Sequence, residues 1–259
     1  MEDQLASLKR EHDDLRRAMY EAAQVQRRLC GPRHLRAGSY ELASEIFPVR
    51  HLSGDFISLL QLEGDLVFAI GDIAGKGLTA GMWFTHVVGM IRRQMSVLGD
   101  PAAALSSVNR DLLLTALEVP LTTLLLARLN LENGELTYCN AGHPPALLLA
   151  ENVKVEELRA GGPVLGAIPK ASFANGSARL GPGNTLLAYS DGIPECRNES
   201  GTEFGAKGLV NAARALSGSK PRLMLFSLLA AIENFAGRQH REDDVALLVL
   251  HRFGACQNN

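Results

Sequence analysis

The sequence predicts an α+β fold in which helices cover a mostly antiparallel system of sheets. Two observations support this prediction. Short extended runs and helical segments lie in separate blocks along the 259 residues rather than alternating one by one. In addition, Asn133-Gly134 separates two extended runs and is a strong signal for an antiparallel hairpin. Both observations argue against a doubly wound parallel sheet.

The first thirty residues predict an amphipathic helix. Charged residues separate a stripe of apolar side chains, which are Leu5, Leu8, Leu15, Met19, Ala22 and Leu29. His12 and Gln26 interrupt this stripe, as in a short coiled-coil seam that needs a partner to persist. We therefore predict that residues 1–30 form a linker or dimerisation helix, with packing on its own domain as the alternative. Gly31-Pro32 ends the helical pattern.

Residues 33–253 are predicted to form one domain. Its first block has three strands and then two helices, at residues 40–47, 55–62, 66–70, 78–98 and 102–117. The second of these helices follows Asp100-Pro101, which combines an N-cap residue with a first-turn proline. A second block has strands at residues 121–129, 135–139, 146–149, 153–158 and 185–189. Two helices and a buried strand complete the domain, at residues 206–216, 221–235 and 245–250.

Composition and charge exclude several functional classes. The chain is 46% hydrophobic and 21% charged, which is enough to bury a large core. Its formal net charge of -2 provides no basic surface for nucleic acid or an anionic membrane. Its four cysteines are scattered without a disulfide or zinc pattern, and no apolar run approaches the roughly 20 residues of a membrane span. We therefore expect a cytoplasmic protein.

Five aspartates adjoin apolar strand-like runs, each beside glycine or another acid: Asp55, Asp72, Asp191, Asp243 and Asp244. A carboxylate at the end of a strand is held rigidly, and an adjacent glycine allows close approach to the backbone. Several aspartate oxygens without histidine or cysteine suit Mg²⁺ or Mn²⁺ better than zinc or copper. Each aspartate alone also fits a simple turn, and spacing alone leaves their convergence open.

Seven motifs follow one another along the chain: LSGDF, IGDIAGKG, NAGHPP, GGPVLG, LLAYSDGIPE, GTEFG and DDVALLVL. In this order they resemble the PPM (protein phosphatase 2C-like) metal-dependent serine/threonine phosphatases, specifically the SpoIIE-like branch. The resemblance covers about residues 24–253. It implies an αββα sandwich of two antiparallel sheets flanked by helices, in agreement with the layering predicted above.

The resemblance also implies two bound divalent metal ions, Mn²⁺ or Mg²⁺. Asp72 matches the family aspartate that bridges both ions, and the backbone carbonyl of Ile73 matches a ligand of one of them. Asp55 matches the acidic residue of the family's Gly-Gly-Asp motif, which contributes on the same side mainly through water. Ser53 replaces the first glycine of that motif.

The residues that match the family's ligands of the second ion lie in the C-terminal half of the chain. Asp191 and Asp243 match its ligands, with Asp244 as a neighbour that the motif does not rank. Asp72 and Asp191 are therefore our candidate catalytic residues. They would act by holding the ions that activate a water, without a phosphoenzyme.

Three further departures or candidates concern the surroundings of these acids. Lys76 stands where the family often has histidine or arginine, and either assists phosphate binding or is a solvated loop cation. Residues 120–123 replace a Met-Phe-Val-Thr-like strand, a change that we interpret as packing. His143 is either a general acid for the leaving oxygen or a residue that orders the NAGHPP turn.

The function implied is hydrolysis of phosphoserine or phosphothreonine on a regulatory protein. The SpoIIE-like branch suggests an anti-sigma-factor antagonist in bacterial partner-switching signalling. Its expected partners are this phosphoprotein and, through the N-terminal helix, a second copy or an upstream sensor. The main alternative is a noncatalytic pseudophosphatase that serves as an interaction module. A metal nuclease is disfavoured because the chain lacks a basic surface.

Overall fold

The computed structural model describes residues 2–115, 118–150, 155–239 and 241–254. In chain order its elements are α1 (Glu2–Leu29), β1 (His34–Ala37), β2 (Tyr40–Phe47), β3 (Asp55–Leu62), β4 (Asp65–Ile73), α2 (Leu78–Leu98), α3 (Pro101–Leu113), β5 (Thr122–Asn130), β6 (Glu135–Ala141), β7 (Ala146–Leu149), β8 (Glu156–Leu158), β9 (Gly161–Gly162), β10 (Gly176–Arg179), β11 (Thr185–Tyr189), α4 (Gly205–Ala215), α5 (Pro221–Ala236) and β12 (Val245–Arg252).

The strands form two six-stranded sheets. The first sheet has the order β1-β2-β12-β11-β7-β8, and the second has β10-β6-β5-β4-β3 with β9 added beside β6. The pairs are antiparallel except for the short parallel pair of β6 and β9. Alternate side chains of the two sheets meet in a common core, where Ile70 of β4 and Leu248 of β12 are fully buried.

Helices cover the outer face of each sheet. The helices α2 and α3 pack on the second sheet through residues such as Phe84 and Leu105. The helices α4 and α5 pack on the first sheet through residues such as Leu209 and Leu228. The predicted αββα sandwich, with two antiparallel sheets flanked by helices, is confirmed. The protein therefore has three apolar layers, one between the sheets and one beneath each helical pair.

Local sequence chemistry explains how the helices begin and end. Asp100 caps α3 by accepting a hydrogen bond from the Ala103 amide at 2.8 Å, and Pro101 occupies the first turn. Gly99 ends α2 in the left-handed conformation with φ 64°, which glycine adopts without steric cost. The chain thus passes from α2 to α3 through only two residues, Gly99 and Asp100.

Several element boundaries differ from the predictions. The helix predicted to reach residue 117 ends at Leu113, and residues 116–117 lie outside the described residues. The strand predicted over residues 153–158 is described only from Glu156, since residues 151–154 also lie outside them. Three short strands were not predicted: β1, β9 and β10. They are two to four residues long and polar or glycine-rich, so they lack the alternation that signals a strand.

The N-terminal helix is exposed along most of its length and docked at its end. Leu5, Leu8 and Leu15 are each more than 60% exposed, whereas Ala23 and Gln26 are buried. The helix contacts α2. Within the described residues, no helix is both long and apolar enough to cross a membrane.

Candidate metal centre

The five aspartates come from strand ends of both sheets. Asp55 is the first residue of β3 and lies opposite Asp72 of β4 in the strand register. Asp191 follows β11, while Asp243 and Asp244 directly precede β12, the antiparallel neighbour of β11. The electrostatic influence of Asp191, Asp243 and Asp244 reaches Asp72 across the two sheets. The structure therefore brings all five predicted aspartates into one acidic site.

Asp55 is the most buried of these carboxylates. Its residue surface is only 3% exposed, and burial raises its pKa well above the usual range. The neighbouring charges of Asp72, Asp244 and Asp191 raise the pKa further, and a hydrogen bond with Ser190 opposes the shift. Among the described residues, its Oδ2 atom has no hydrogen-bond partner. A buried carboxylate oxygen of this kind is stabilised by a proton or a cation.

Asp72 and Asp191 have raised pKa values for the same reasons. Burial raises the pKa of Asp72 to about 6, with added repulsion from Asp191, Asp243 and Asp244, against a hydrogen bond from the Ile73 amide. Burial also raises the pKa of Asp191, followed by repulsion from Asp243. Mutual repulsion among carboxylates is the electrostatic condition that a divalent cation relieves.

Gly54 allows the loop before β3 to lie against two predicted ligand atoms. A Cβ atom at Gly54 would be 2.7 Å from Asp72 Oδ1 and 2.8 Å from the Ile73 carbonyl oxygen. The Gly54 carbonyl also accepts a hydrogen bond from the Ile73 amide at 3.2 Å. Any side chain at this position would displace these oxygens, so glycine is required by close packing.

The two adjacent aspartates before β12 have different surroundings. Asp244 is buried and accepts hydrogen bonds from the Val49 amide at 2.7 Å, the Ser53 hydroxyl at 2.8 Å and the Gly54 amide at 2.9 Å. Asp243 has a side chain that is 52% exposed. Because Asp244 already satisfies three donors, its position is that of a loop organiser. The Asp243 carboxylate is the more exposed of the two, and its Oδ1 atom accepts a hydrogen bond from the Asp244 amide at 3.0 Å.

Lys76 is part of the acidic site. Its Nζ atom lies 2.9 Å from Asp243 Oδ1 and donates to the Glu242 carbonyl at 3.0 Å. The hydrogen bond to Asp243 raises the pKa of Lys76, which remains protonated at neutral pH. These contacts disagree with the interpretation of Lys76 as a purely solvated cation.

His143 lies in the turn between β6 and β7. Its Nδ1 atom is hydrogen-bonded to the Thr123 hydroxyl at 2.9 Å, and its amide donates to Asn140 Oδ1 at 2.8 Å. Burial lowers the pKa of His143 to about 3, and a contact with the backbone of Tyr189 opposes this shift. Its Nε2 atom is buried and has no hydrogen-bond partner among the described residues. A neutral, enclosed imidazole favours the loop-ordering interpretation over general acid catalysis.

Three supporting residues were not predicted from the sequence. Ser190 is buried and lies in the sequence between β11 and Asp191. Its hydroxyl accepts a hydrogen bond from the Ala246 amide at 2.9 Å and also forms a hydrogen bond with Asp55. Ser53 and Gln26 hold the loop before β3. The small polar residue in the SDG motif was an available signal for Ser190. Gln26 is distant in sequence, and only the fold shows its contact.

The acidic site has the chemistry to bind a divalent cation, although its side chains do not form a complete coordination shell. Among the described residues, no three His, Cys, Asp or Glu side chains form a compact group able to enclose a metal ion. The donor set is nevertheless rich in carboxylate oxygen, as Mg²⁺ and Mn²⁺ require. The unpartnered Asp55 Oδ2 atom and the raised pKa values of Asp72 and Asp191 also indicate a place for positive charge.

Solved structures identify the fold. The chain superposes on the SiaA-PP2C domain of Pseudomonas aeruginosa with a TM-score of 0.80 and 18% identity, covering 94% of this chain and 99% of that one. It superposes on the PP2C phosphatase domain, with a fragment of the regulatory domain, of SpoIIE from Bacillus subtilis with a TM-score of 0.70 and 20% identity, covering 81% and 63%. The protein therefore has the fold of the PP2C phosphatases.

A comparison of the sequence with protein-family models identifies the family within this fold. The family model described as Stage II sporulation protein E (SpoIIE) matches residues 63–253. The chain belongs to this family, which confirms the predicted class of PPM-type, metal-dependent protein serine/threonine phosphatases.

Two curated relatives are longer proteins. The phosphoserine phosphatase RsbU of Bacillus subtilis (strain 168) is 25% identical over 89% of this chain and 69% of its own length. Protein IcfG of Synechocystis is 26% identical over 79% of this chain and 37% of its own length. The chain thus spans little more than a third of IcfG.

Proposed function

We propose that this chain hydrolyses phosphoserine or phosphothreonine on a regulatory protein, specifically an anti-sigma-factor antagonist in bacterial partner-switching signalling. The observation that carries the proposal is the convergence of five aspartates from two sheets, one of them with a buried and unpartnered oxygen. The names of RsbU and RsbP, both phosphoserine phosphatases of Bacillus subtilis, support the substrate class. A cytoplasmic location agrees with such a role.

The proposed site would hold two ions, Mn²⁺ or Mg²⁺, through residues at the strand ends. Asp72, the Ile73 carbonyl and Asp55 belong to one side of the site, and Asp191 and Asp243 belong to the other. When bound, such ions supply an activated water and neutralise phosphoryl oxygens during in-line displacement. Ionised Asp72 and Asp191 are the residues on which binding and orientation depend most.

The surrounding residues keep the carboxylates in place. Asp244 fixes the Ser53-Gly54 backbone, while Ser190 holds Asp55 from the opposite sheet. Lys76 offers a cation beside Asp243, which we propose assists binding of the phosphoryl group. The chain thus supplies positioning and charge rather than a nucleophile of its own.

A cysteine nucleophile is a poor alternative. Burial raises the pKa of Cys139 to about 11, and burial also raises the pKa of Cys196. Neither thiol is therefore appreciably ionised at neutral pH, although the thiolate is the reactive form. The pseudophosphatase alternative is the remaining rival, because a noncatalytic module would keep the same fold.

Turnover of a phosphomonoester tests the proposal directly. Hydrolysis of p-nitrophenyl phosphate and of a phosphoserine peptide is measured with Mn²⁺, with Mg²⁺ and with excess chelator. We expect activity only with metal. Undiminished hydrolysis after rigorous metal removal contradicts the mechanism. Absence of turnover with every phosphorylated partner protein tested, in a chain that binds Mn²⁺, favours the pseudophosphatase.

We also propose that residues 1–30 act as a linker that joins residues 33–253 to a second copy or an upstream sensor. The support is the exposure of Leu5, Leu8 and Leu15 along the helix. An isolated helix with an uncovered apolar stripe gains stability from a partner. This part of the proposal concerns regulation and is tested separately from the chemistry.

A further inference from the structure

Gln26 forms an unusual contact between the N-terminal helix and the domain. Its Nε2 atom donates to the Ser53 carbonyl at 2.7 Å, and the Ser53 amide donates to its Oε1 atom at 3.2 Å. Both ends of one side-chain amide are thus satisfied by the backbone of one residue. Gln26 is only 7% exposed, and Ser53 is only 3% exposed. Water therefore offers little replacement for these bonds.

The backbone held by Gln26 leads directly into the acidic site. The Ser53 hydroxyl and the Gly54 amide both donate to Asp244, at 2.8 and 2.9 Å. Gly54 in turn lies against Asp72 and the Ile73 carbonyl, and the next residue is Asp55. The loop is therefore held from one side by the helix and from the other by the acids.

We propose that Gln26 is a positioning residue of the metal centre: it fixes the Ser53-Gly54 loop and thereby sets the place of Asp55 relative to Asp72. Without Gln26, Asp244 would still hold the loop through the Ser53 hydroxyl and the Gly54 amide. Gln26 adds the restraint on the Ser53 peptide groups. The assignment rests on the proposed function only in taking a divalent metal as the ligand of the site.

The variant Gln26→Met tests this role because it keeps the length of the side chain and removes both hydrogen bonds. We expect the affinity for Mn²⁺, measured by calorimetry on the chelator-treated full chain, to fall about ten- to hundredfold, as for other residues that orient metal ligands. The Mn²⁺ concentration that gives half-maximal turnover should rise by a similar factor. A purely structural loss would instead lower the active fraction without changing metal affinity.

Gln24→Met is the matched control, since it makes the same change at a half-exposed position of the same helix. It should leave Mn²⁺ affinity unchanged. Should Gln26→Met not fold, Gln26→Glu keeps an acceptor for the Ser53 amide but loses the donor, and is expected to weaken Mn²⁺ binding as well. Unchanged affinity in the folded Gln26 variant, or equal loss in the Gln24 variant, overturns the proposal.

The outcome is separable from the test of the proposed function. An unmodified chain that binds Mn²⁺ but hydrolyses no phosphoprotein contradicts the proposed function and leaves the role of Gln26 to be decided by binding alone. A chain that binds no Mn²⁺ overturns the role of Gln26.

Discussion

Asp55 and Asp72 face each other on neighbouring strands, an arrangement in which two ionised carboxylates repel. Both have raised pKa values, with burial as the main cause. The site therefore carries a cost in the absence of a cation, and its acids contribute binding at the expense of stability. Asp55 and Asp72 differ in this respect from Asp244, whose hydrogen bonds to the Val49 and Gly54 amides stabilise the fold.

We expect Asp72→Asn to abolish metal-dependent turnover while the fold remains intact. The change removes a charge at nearly constant volume, so the free energy of unfolding in chelator should be unchanged or higher by about 1 kcal/mol, once solvent screening is allowed for. Steady-state kinetics and denaturant unfolding measure the two effects. His143→Ala serves as comparison and should cost less in the chemical step. Normal turnover by the Asp72 variant would require another assignment of the site.

His143 makes the stability of the protein depend on pH. Its pKa is lowered to about 3 in the folded state by burial, whereas an unfolded histidine titrates near 6.5. The unfolded chain therefore binds a proton that the folded chain refuses, and stability is lost as pH falls below about 6.5. Between pH 7 and pH 5 the loss from this residue is about 2 kcal/mol.

Urea unfolding at several pH values checks this dependence. The variant His143→Gln should lose stability less steeply between pH 7 and pH 5 than the unmodified chain. His51 is exposed, and His51→Gln should retain the steep dependence. Equal slopes for the unmodified chain and the His143 variant would show that the imidazole is accessible to protons in the folded state.

At the scale of elements, α1 consists of an exposed segment and a docked end. Removing everything before Arg33 would delete Gln26 along with the exposed stripe, and so confuse two effects. A chain that begins at Glu21 removes Leu5, Leu8 and Leu15 while keeping the docked turn. We expect this shorter chain to fold, to lose self-association or sensor docking, and to keep its affinity for Mn²⁺.

Mass in solution and the Mn²⁺-dependent rate measure the effect of this truncation. The chain that begins at Arg33 should, in contrast, also bind Mn²⁺ more weakly. Unchanged mass and rate in the chain that begins at Glu21 would reduce the exposed part of α1 to a passive tether. Regulation would count as allosteric only if partner binding shifts an equilibrium between two states of the site.

The elements were predictable wherever local chemistry decides them. Asp100-Pro101 predicts the start of α3, and the continuous apolar run at residues 245–250 predicts the buried strand β12. Gln26 was interpreted as an interruption of an apolar stripe, because its partner Ser53 lies 27 residues away. The different surroundings of Asp243 and Asp244 were also beyond sequence reasoning, since the Val49 amide that donates to Asp244 lies 195 residues away.

At the scale of the whole molecule, the acidic site joins the two sheets. Asp55 and Asp72 belong to the second sheet, whereas Asp191 and Asp243 adjoin strands of the first. Convergence of these acids is a property of the packed sandwich, so no single segment of sequence contains it. The family resemblance predicted the residues, and the packing of the sheets explains their proximity.

Metal should therefore stabilise the whole sandwich. With Mn²⁺ at about 100 times its dissociation constant, a single site adds roughly 2.7 kcal/mol, which raises the unfolding temperature by about 5–10 °C for a chain of this size. Calorimetry in Mn²⁺ and in chelator measures this difference. Asp72→Asn should reduce it strongly, whereas His51→Gln should not. Equal unfolding temperatures with and without Mn²⁺ would contradict binding at the seam of the sheets.

Synthesis of this protein leaves the first sheet in two pieces until late, because β12 lies between β2 and β11. The ribosome releases the chain at roughly 5–20 residues per second from its N-terminus. Until β12 is made, β2 has an unpaired edge, and β11 has one from about residue 189 onward. Such edges can pair with the wrong strand. Asp243 and Asp244 emerge with β12. A chain that ends before β12 therefore lacks two of the five aspartates of the acidic site, and we expect it to bind no metal until synthesis of β12 is complete.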